Sequence, residues 1–378
     1  MIDTVALQLE CEREQISSRF FDIQQIKYPN REVAIHTVFS NVRKAFKKQG
    51  IYYPVISAKK SKIGRREQGV KLEVQVSLPK LLYGTNLWEV IPEDLEDVYG
   101  ALQKCIKQTG IEVGLDAVRA AILKRVDFSK IIRIPSVYGT AKQVTRKLSG
   151  FNYKQSSDFT YRDYGDFSDG AAMKFYNDTQ GYVIYDKFAE ILGNGYTNQE
   201  EATIKWFHDT LQRRDVIKFE LSLERKQSMD AVLRRFIPGK RKDFTLSDVM
   251  KDSRVSKQIL LETFDKVFDK TYLPLITLSE VQENNLEVFL REKNLPMAEH
   301  CKLSYWVNMI HKFGLKATLE YMKERMPGSS YGRYKKELLE TMGKLGSIEG
   351  EIPSLVGFLR KKHEEFSLIS PKGDKKYC

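Results

Sequence analysis

The amino-acid sequence predicts an α+β fold, in which an N-terminal antiparallel sheet with helices on one face precedes a mostly α-helical C-terminal domain. Segments that alternate between apolar and polar residues, as half-buried strands do, recur through the first 240 residues. After Pro238 and Gly239 the spacing becomes helical, and glycine and proline punctuate it as far as residue 363. These observations divide the chain into a domain at 1–240 and a domain at 241–378.

The composition indicates a folded basic protein. The chain has 378 residues, of which 42% are hydrophobic, and this supports a sizeable core. Its 62 Lys and Arg outnumber its 50 Asp and Glu, and the resulting net charge of +12 predicts nucleic acid as the partner, although a merely soluble basic domain also fits. No apolar run approaches the roughly 20 residues of a membrane span, and no amphipathic anchor stands out, so we expect no membrane partner. The scattered cysteines make a reducing cytoplasm the simplest compartment.

The cysteines indicate neither a disulfide framework nor a structural zinc site. They are Cys11, Cys105, Cys301 and Cys378, which lie far apart in the chain. They form no Cys-x-x-Cys pair, and no histidine lies at zinc-ligand spacing from two of them.

The predicted elements follow one another along the first domain. Alternating and β-branched residues predict strands at 3–9, 32–39, 70–78, 122–134, 181–188 and 216–224. Apolar residues at helical spacing predict helices around 95–106 and at about 199–213. A basic, glycine-punctuated loop is predicted at 59–69, and turns or a hairpin are predicted at 151–171.

Four of these strands have one apolar side and one side with acids, a base or a tyrosine. Successive side chains of a strand point to opposite faces of the sheet. The polar sides carry Glu73 in the first strand, Arg125 and Asp127 in the second, Tyr185 and Lys187 in the third, and Lys218 and Glu220 in the fourth. An ordinary solvated face explains any single strand, whereas an active site explains the four together if they share one sheet.

The functional interpretation assigns phosphodiester-transfer chemistry to that shared face. Glu73, Asp127 and Glu220 would hold a divalent metal, and oxygen ligands alone favour Mg²⁺ or Mn²⁺. Such a metal would polarise a phosphate group. Tyr185 would attack the phosphorus and keep the energy of the broken linkage in a tyrosyl phosphodiester. Lys187 would favour the phenolate or bind a phosphate oxygen.

Six stretches follow one another in an order that matches a known group of replication proteins. They are MIDTVALQL at the start, KLEVQVSLPKLLYGTNLWEV (71–90), KRVDFSKIIRIPS (124–136), VIYDKFAEI (183–191), IKFELSLER (217–225) and KFGLKATLEYMKERMPGSSYGRYKKELLETMG (312–343). Together they resemble the filamentous-phage gene II replication initiators and, more distantly, the staphylococcal-type initiators of rolling-circle plasmids.

This resemblance implies a nickase- or relaxase-like sheet and a specific activity on DNA. The enzyme would nick one strand of duplex DNA at a replication origin, leave a 3′-OH primer and later rejoin the displaced strand. Its partners would be origin DNA, a host helicase and a DNA polymerase, and the reaction would take place in the bacterial cytoplasm.

The resemblance also assigns roles to individual residues. The tyrosine of the plasmid initiators' Ile-Tyr-[Asn/Asp]-Lys strand corresponds to Tyr185, with Lys187 in the lysine position. The acids of three further strand motifs correspond to Glu73, Asp127 and Glu220. The chain lacks the His-hydrophobe-His pair of the broader nickase superfamily, so carboxylates have to replace imidazoles as metal ligands. Tyr182 is an alternative nucleophile, although alternation puts it on the opposite face from Tyr185.

Two more acids lie beside the candidate tyrosine. Asp186 is expected to point away from Tyr185, because neighbours on a strand alternate. Glu190 lies near the end of the strand or in a following helix, where a structural ion pair and a catalytic role explain it equally well.

Basic residues are candidates for DNA contacts. They are Lys59, Lys60, Lys62, Arg65 and Arg66 in the loop beside the Glu73 strand, together with Arg125 and Lys257. Lys257 lies in a predicted helix pair at 244–268 with a turn near 252–255. A helix-turn-helix there would direct Ser256, Lys257 and Gln258 to the major groove. The alternative for the basic loop is a solvated loop without DNA contacts. The alternative for the helix pair is that the two helices only pack against the core.

Two other functions remain compatible with these patterns. A binding-only protein would mark an origin or repress transcription and would have an inactive sheet. A hydrolytic nuclease would cleave DNA without a covalent step, and it would keep cleaving after Tyr185→Phe. The intact combination of the tyrosine, the lysine and the three acids favours the nicking-joining enzyme.

Overall fold

The computed structural model describes residues 1–11, 21–28, 31–38, 40–63, 66–149, 160–163, 172–194, 198–211, 215–240, 242–268, 296–345, 355–372 and 375–376. Within these ranges the chain forms a ten-stranded sheet, and helices pack against it. The C-terminal part is mostly helical. The α+β fold class that the sequence predicts is therefore confirmed.

The sheet takes its strands from the first 223 residues. They are β1 (Ile2–Cys11), β2 (Phe21–Tyr28), β3 (Arg31–Val38), β4 (Val55–Ile63), β5 (Arg66–Ser77), β6 (Ile122–Arg133), β7 (Thr160–Asp163), β8 (Ala172–Tyr176), β9 (Gln180–Asp186) and β10 (Val216–Leu223). Their order is β2-β3-β4-β5-β1-β6-β10-β9-β8-β7, and each neighbouring pair is antiparallel. The four strands with candidate residues thus share one sheet, and β1 separates β5 from β6.

Helices connect the strands and make up most of the C-terminal part. They are α1 (Ser40–Lys48), α2 (Leu78–Tyr83), α3 (Leu95–Lys107), α4 (Leu115–Arg119), α5 (Ala141–Ser149), α6 (Lys187–Asn194), α7 (Asn198–Leu211), α8 (Lys226–Phe236), α9 (Leu246–Met250), α10 (Ser253–Val267), α11 (Met297–Arg325), α12 (Gly328–Leu345) and α13 (Leu355–Glu365). A short separate hairpin follows, formed by β11 (Ser367–Leu368) and β12 (Lys375–Lys376). Among the helices described, none is long and apolar enough to span a bilayer.

The apolar face of the central strands forms the core. Val5, Val126 and Phe219 lie on this face and are fully buried. Phe264 of α10 and His363 of α13 pack against Phe219, with ring centroids 6.1 and 4.8 Å away. Because aromatic rings at these separations gain contact energy as well as burial, they fix the C-terminal helices on this side of the sheet.

The C-terminal part of the chain packs into the same core as the sheet. The Leu123 amide donates a hydrogen bond to the Phe244 carbonyl at 2.7 Å. The Lys130 ammonium donates to the Ser367 carbonyl at 2.7 Å and to the Glu89 carboxylate at 3.1 Å. Residues on both sides of the boundary predicted at 240 therefore contribute to one core.

The basic stretch at 59–69 differs from the loop predicted for it. The β4–β5 pairing continues through this stretch until Ile63 lies opposite Arg66. Backbone hydrogen bonds sustain a two-stranded arm whatever its side chains are. Because the basic residues here do not alternate with apolar ones, the periodicity that identifies a half-buried strand is missing.

Candidate active site

Strand register places the candidate residues on one face of the sheet, which we call the polar face. Lys218 of β10 lies opposite Tyr185 of β9. Glu220 lies two residues further along β10 and so points to the same side as Lys218. On the other side of β10, Ser222 lies opposite Asp127 of β6. Because directly paired residues of antiparallel strands share a face, Tyr185, Glu220 and Asp127 all lie on the polar face. Glu220 lies between the other two, two residues along β10 from Lys218 and two from Ser222.

A series of polar contacts connects Tyr185 to Asp3. The Tyr185 hydroxyl donates a hydrogen bond to Glu220 Oε2 at 3.2 Å. Lys218 Nζ lies 3.6 Å from the same Glu220 oxygen and donates to Asp3 Oδ2 at 2.6 Å. One carboxylate oxygen therefore faces both the phenol and an ammonium group.

Lys218 is a cation buried in the sheet, with a side chain that is 1% exposed. Burial favours the neutral amine, but Asp3, Tyr185 and Glu220 outweigh burial and raise the pKa of Lys218 well above its ordinary value. Burial also acts to raise the pKa of Asp3, yet Lys218 holds that pKa below its ordinary value. Lys218 is therefore a lasting positive charge directly opposite Tyr185.

Asp3 reaches the polar face through an irregularity in β1. The pairing of β1 with β6 shifts between Ile2 and Thr4, so Asp3 has no partner in that register. Strict alternation would place Asp3 on the apolar face with Val5. A bulge redirects one side chain in this way, and sequence alternation therefore misses Asp3.

Lys187 begins α6 and does not continue β9. The helix starts here because Asp186 caps it: its carboxylate accepts hydrogen bonds from the amides of Phe188 at 3.0 Å and Ala189 at 3.1 Å. The prediction that Lys187 extends the Tyr185 strand is wrong. The Lys187 ammonium nevertheless lies 5.5 Å from the centroid of the Tyr185 ring.

Lys187 is fully buried and forms an ion pair with Glu190, with 2.5 Å between Nζ and the carboxylate. Burial, followed by repulsion from Lys218, lowers the pKa of Lys187 to about 8. Burial acts to raise the pKa of Glu190, but Lys187 keeps that pKa below its ordinary value. Of the two interpretations of Glu190, the structure displays the ion pair.

The Tyr185 phenol strongly favours its neutral form. Burial raises the pKa of Tyr185 well above its ordinary value, and the charge of Lys218 acts in the opposite direction. The carboxylates of Glu220 and Asp3 add to the effect of burial. A reaction that uses the phenolate therefore needs the positive charge of Lys218 to stabilise it and a group that accepts the phenol proton.

Asp127 and Arg125 share a face, as the sequence predicts. Arg125 donates two hydrogen bonds to the Asp127 carboxylate, at 3.0 and 2.8 Å. Burial raises the pKa of Asp127 to about 6, against the effect of Arg125. The Arg125 side chain is 29% exposed, so it is accessible to a polyanion while it holds Asp127.

Glu73 does not join the other two predicted metal ligands. It lies opposite Gln8 of β1, whereas Asp127 lies opposite Thr4 of β1. This offset of four residues separates Glu73 from Asp127 by about 14 Å along the strands, at roughly 3.4 Å per residue. In the part of the chain that the structure describes, no group of three or more His, Cys, Asp or Glu residues could hold a metal ion. The predicted three-carboxylate site is therefore not assembled.

Asp127 and Glu220 remain a two-carboxylate candidate for a metal. Ser222 lies opposite Asp127 and Ser129 lies opposite Glu220, so the two acids are diagonal neighbours on adjacent strands. Such positions are about 7–8 Å apart, which lets both side chains approach one ion. Mg²⁺ is commonly held by one or two carboxylates together with substrate phosphates, so these two residues fit Mg²⁺ or Mn²⁺.

Lys80 of α2 places another cation near these contacts. Its Nζ lies 3.2 Å from the carboxylate of Glu200, a buried residue of α7. The charge of Lys80 helps to hold down the pKa of both Asp3 and Glu190, after the larger effects of burial and of their lysine partners. The sequence gives no periodic signal for Lys80, so it could not be predicted as part of the site. Lys218 could have been, because it alternates with apolar residues in β10 as Glu220 does.

Tyr182 lies on the apolar face, as alternation predicts. Its ring packs between Phe175 and Phe219, with centroids 6.4 and 6.2 Å away. Burial raises the pKa of the Tyr182 phenol well above its ordinary value. This residue is therefore enclosed in the core on the side of the sheet opposite to Tyr185.

The predicted DNA-contacting residues are distributed over separate parts of the fold. Lys59, Lys60 and Lys62 lie on β4, and Arg66 begins β5. Arg65 lies outside the described residues. The stretch predicted as a basic loop is therefore part of two paired strands, and its basic residues precede Glu73 along the chain.

The helix pair predicted at 244–268 is present as α9 and α10. Ser256, which precedes the half-buried Lys257, is 2% exposed and belongs to the buried side of α10. Of the two alternatives for this pair, the burial of Ser256 fits a packing pair of helices, and Ser256 does not face a DNA groove. Val255 and Ile259 explain the difference, because their burial in the core determines which side of α10 faces inward.

No protein-family model, curated protein or solved structure matches this chain. The resemblance to the gene II initiators therefore rests on the six sequence stretches. The polar face brings together the Tyr185 hydroxyl, the Glu220 carboxylate that accepts its hydrogen bond and the buried ammonium of Lys218, and the ammonium of Lys187 from α6 lies beside them.

Proposed function

We propose that this chain is a DNA nicking-joining enzyme that initiates rolling-circle replication, with Tyr185 as its nucleophile. The observation that carries the proposal is the 3.2 Å hydrogen bond from Tyr185 to Glu220, formed beside the buried Lys218. A tyrosine that attacks phosphorus needs an acceptor for its proton and a cation for its phenolate. Glu220 and Lys218 are suited to these two roles.

In the proposed step, the Tyr185 oxygen forms a bond to the phosphorus of one phosphodiester while the bond from phosphorus to the 3′ oxygen breaks. The phenol proton passes to Glu220, and the departing 3′ oxygen takes a proton from water to give the 3′-OH primer. The protein stays linked to the 5′ phosphate. Attack by a 3′-OH on this tyrosyl phosphodiester reverses the step, returns a proton to Tyr185 and rejoins the strand.

Lys218 and Lys187 reduce the cost of a buried phenolate. An opposite charge within about 4–6 Å favours the ionised form of a group. Lys218 lies opposite Tyr185, and Asp3 keeps it charged. With a pKa of about 8, Lys187 is mostly protonated at neutral pH, and its ammonium lies against the Tyr185 ring.

Asp127 would hold Mg²⁺ or Mn²⁺ together with phosphate oxygens of the DNA, and Glu220 would contribute as a second ligand while it is ionised, before it takes the phenol proton. When bound, the metal would withdraw electron density from the phosphate under attack. Arg125 orients Asp127 through its two hydrogen bonds, which leaves the carboxylate in one fixed position on the polar face. Glu73 has no part in this proposal because of its place in the strand register.

The proposed substrate is double-stranded origin DNA with an unpaired region at the nick. The net charge of +12 supports binding to the phosphate backbone. A host helicase and a DNA polymerase would use the 3′-OH that the reaction releases, and the bacterial cytoplasm is the proposed location.

A supercoiled plasmid that carries the coding sequence and its flanking DNA tests the proposal. With Mn²⁺ we expect nicked circles that carry protein on the 5′ end, and with EDTA we expect none. Tyr185→Phe should abolish nicking, and Tyr182→Phe should retain it. DNA that is bound but never nicked would favour a non-catalytic origin-binding or repressor protein. Nicking that survives Tyr185→Phe would favour hydrolysis by water.

A further inference from the structure

Trp206 of α7 exposes a large aromatic surface. The residue is 42% exposed, although tryptophan is among the largest apolar side chains. Its ring is braced from inside by Trp88, with ring centroids 4.9 Å apart and planes inclined by 56°. Trp206 thus presents part of an indole ring that a second indole ring holds in place.

This tryptophan pair adjoins the polar face beside Tyr185. Trp88 belongs to a small apolar cluster that includes Ile131 of β6 and Phe188 of α6. Ile131 lies opposite Lys218, which in turn lies opposite Tyr185, so the cluster covers the end of the polar face next to the tyrosine. Phe188 is three residues from Tyr185 in the chain. A ligand bound at Tyr185 would therefore pass close to Trp206.

A nucleic-acid strand is the partner that fits the position of Trp206, because the ring adjoins the face where the proposed reaction takes place. Lys205, the residue before it in the chain, is exposed, whereas Lys80 is paired with Glu200 of the same helix, which also carries the exposed Glu201. Proteins bind single-stranded nucleic acid with exposed aromatic rings beside a positively charged path, because the ring stacks on a base while the cations contact phosphates.

We propose that Trp206 is a stacking site for an unpaired nucleobase that flanks the phosphodiester attacked by Tyr185. This inference rests on the proposed function, because it takes the polar face to be the place where DNA strands are cut. Stacking tolerates any base, so the site would hold the melted strand in position without reading its sequence.

The test compares the binding of two single-stranded probes to the full chain. One probe is oligodeoxythymidylate of about 20 nucleotides, which is longer than the site size of a typical single-strand-binding module. The other has the same length and phosphates but only abasic sugars. Trp206→Leu should weaken binding of the thymidylate probe about tenfold, in line with the loss of one stacked base, and should leave the abasic probe unaffected.

Two variants make the comparison specific. Trp206→Phe keeps an aromatic ring and should restore most of the affinity for thymidylate. Tyr305→Leu removes a comparably exposed ring from α11 and should change neither affinity. Equal weakening of both probes by Trp206→Leu, or no weakening of either, would overturn the stacking site.

The nicking assay separates this inference from the proposed function. A wild-type chain that nicks its plasmid, combined with unchanged thymidylate binding in Trp206→Leu, would refute the stacking site alone. A chain that never nicks but loses thymidylate binding in Trp206→Leu would refute the nicking enzyme and leave the base-binding site in place.

Discussion

Lys218 of β10 lies directly opposite Tyr185 of β9, and its buried ammonium contacts both Asp3 and Glu220. Moving a lysine out of water costs several kcal/mol, and only a close and well-oriented partner offsets that cost. Asp3 supplies this partner at 2.6 Å. The Asp3–Lys218 pair is therefore both a condition for the stability of the sheet and, in the proposed function, the source of the charge opposite the nucleophile.

Replacing only one member of this pair should destabilise the fold more than replacing both. Lys218→Met leaves Asp3 as an uncompensated buried charge, so we expect the free energy of unfolding to fall by about 3–5 kcal/mol. Asp3→Asn combined with Lys218→Met should recover most of that loss. Urea denaturation followed by circular dichroism measures both effects, and equal losses in the single and double variants would contradict the pairing.

A second buried pair provides the control for activity. Glu89 and Lys130 lie 3.1 Å apart and are both buried, and Lys130 belongs to the apolar side of β6, opposite Phe219. Glu89→Gln with Lys130→Met should leave the nicking rate of the folded fraction unchanged. Asp3→Asn with Lys218→Met should lower that rate by about 100-fold or more, as the loss of a preorganised charge does elsewhere. Equal rates in the two double variants would remove Lys218 from the mechanism.

The strand register predicts different roles for Glu73 and Asp127. Glu73 lies about 14 Å along the strands from Asp127, so Glu73→Gln should need no more Mn²⁺ for half-maximal nicking than the wild type. Asp127→Asn should raise the required Mn²⁺ concentration by about tenfold or more, because a metal ligand becomes neutral. A metal titration of the nicking reaction checks both variants. An increased Mn²⁺ requirement in Glu73→Gln would show that the register misplaces this residue.

His363 predicts a loss of stability in mild acid. Its Nδ1 donates to the Leu359 carbonyl at 2.9 Å, and its ring lies between Phe219 and Phe264. Burial lowers the pKa of His363 to about 4, below the value of about 6.5 in an unfolded chain. The unfolded chain therefore binds the proton first as the pH falls. About 3 kcal/mol of stability should be lost between about pH 6.5 and pH 4.

The control for this prediction is His363→Leu, which removes the titrating group and keeps an apolar side chain at the site. Urea denaturation across this pH range should show a smaller loss of unfolding free energy in the variant than in the wild type. Parallel pH dependences in the two proteins would assign the acid sensitivity to other groups.

Salt should weaken DNA binding steeply. If the basic surface neutralises about six phosphates, raising the salt concentration from about 50 to about 200 mM should weaken binding by about a thousandfold. Fluorescence anisotropy of a labelled duplex from the flanking region measures this dependence. An affinity that barely changes with salt would contradict binding through contacts between the basic residues and the DNA phosphates, which the net charge of +12 predicts.

The alternation of residues predicts much of the candidate site. The pattern in β10 places Lys218 and Glu220 on one side and Phe219 and Leu221 on the other, and the structure has this arrangement. This works because the pleat fixes side-chain direction from the local sequence alone. The pattern also separates Tyr185 from the buried Tyr182.

Other parts of the site depend on information that local periodicity does not contain. The register between β5, β1 and β6 determines that Glu73 lies away from Asp127, and register is set by pairing between distant segments. The bulge at Asp3 breaks alternation within a strand. The start of α6 at Lys187 did have a local signal, because Asp186 is a residue type that favours helix N-caps.

Mapping the covalent bond between protein and DNA tests the central claim most directly. The nicking reaction would be stopped under denaturing conditions, the DNA digested to a short remnant and the protein cleaved with trypsin. Tandem mass spectrometry would then locate the phosphonucleotide within peptide 175–187, which contains Tyr176, Tyr182 and Tyr185. We predict the remnant on Tyr185. A remnant on Tyr182, or nicked DNA with no remnant on any tyrosine, would contradict the account.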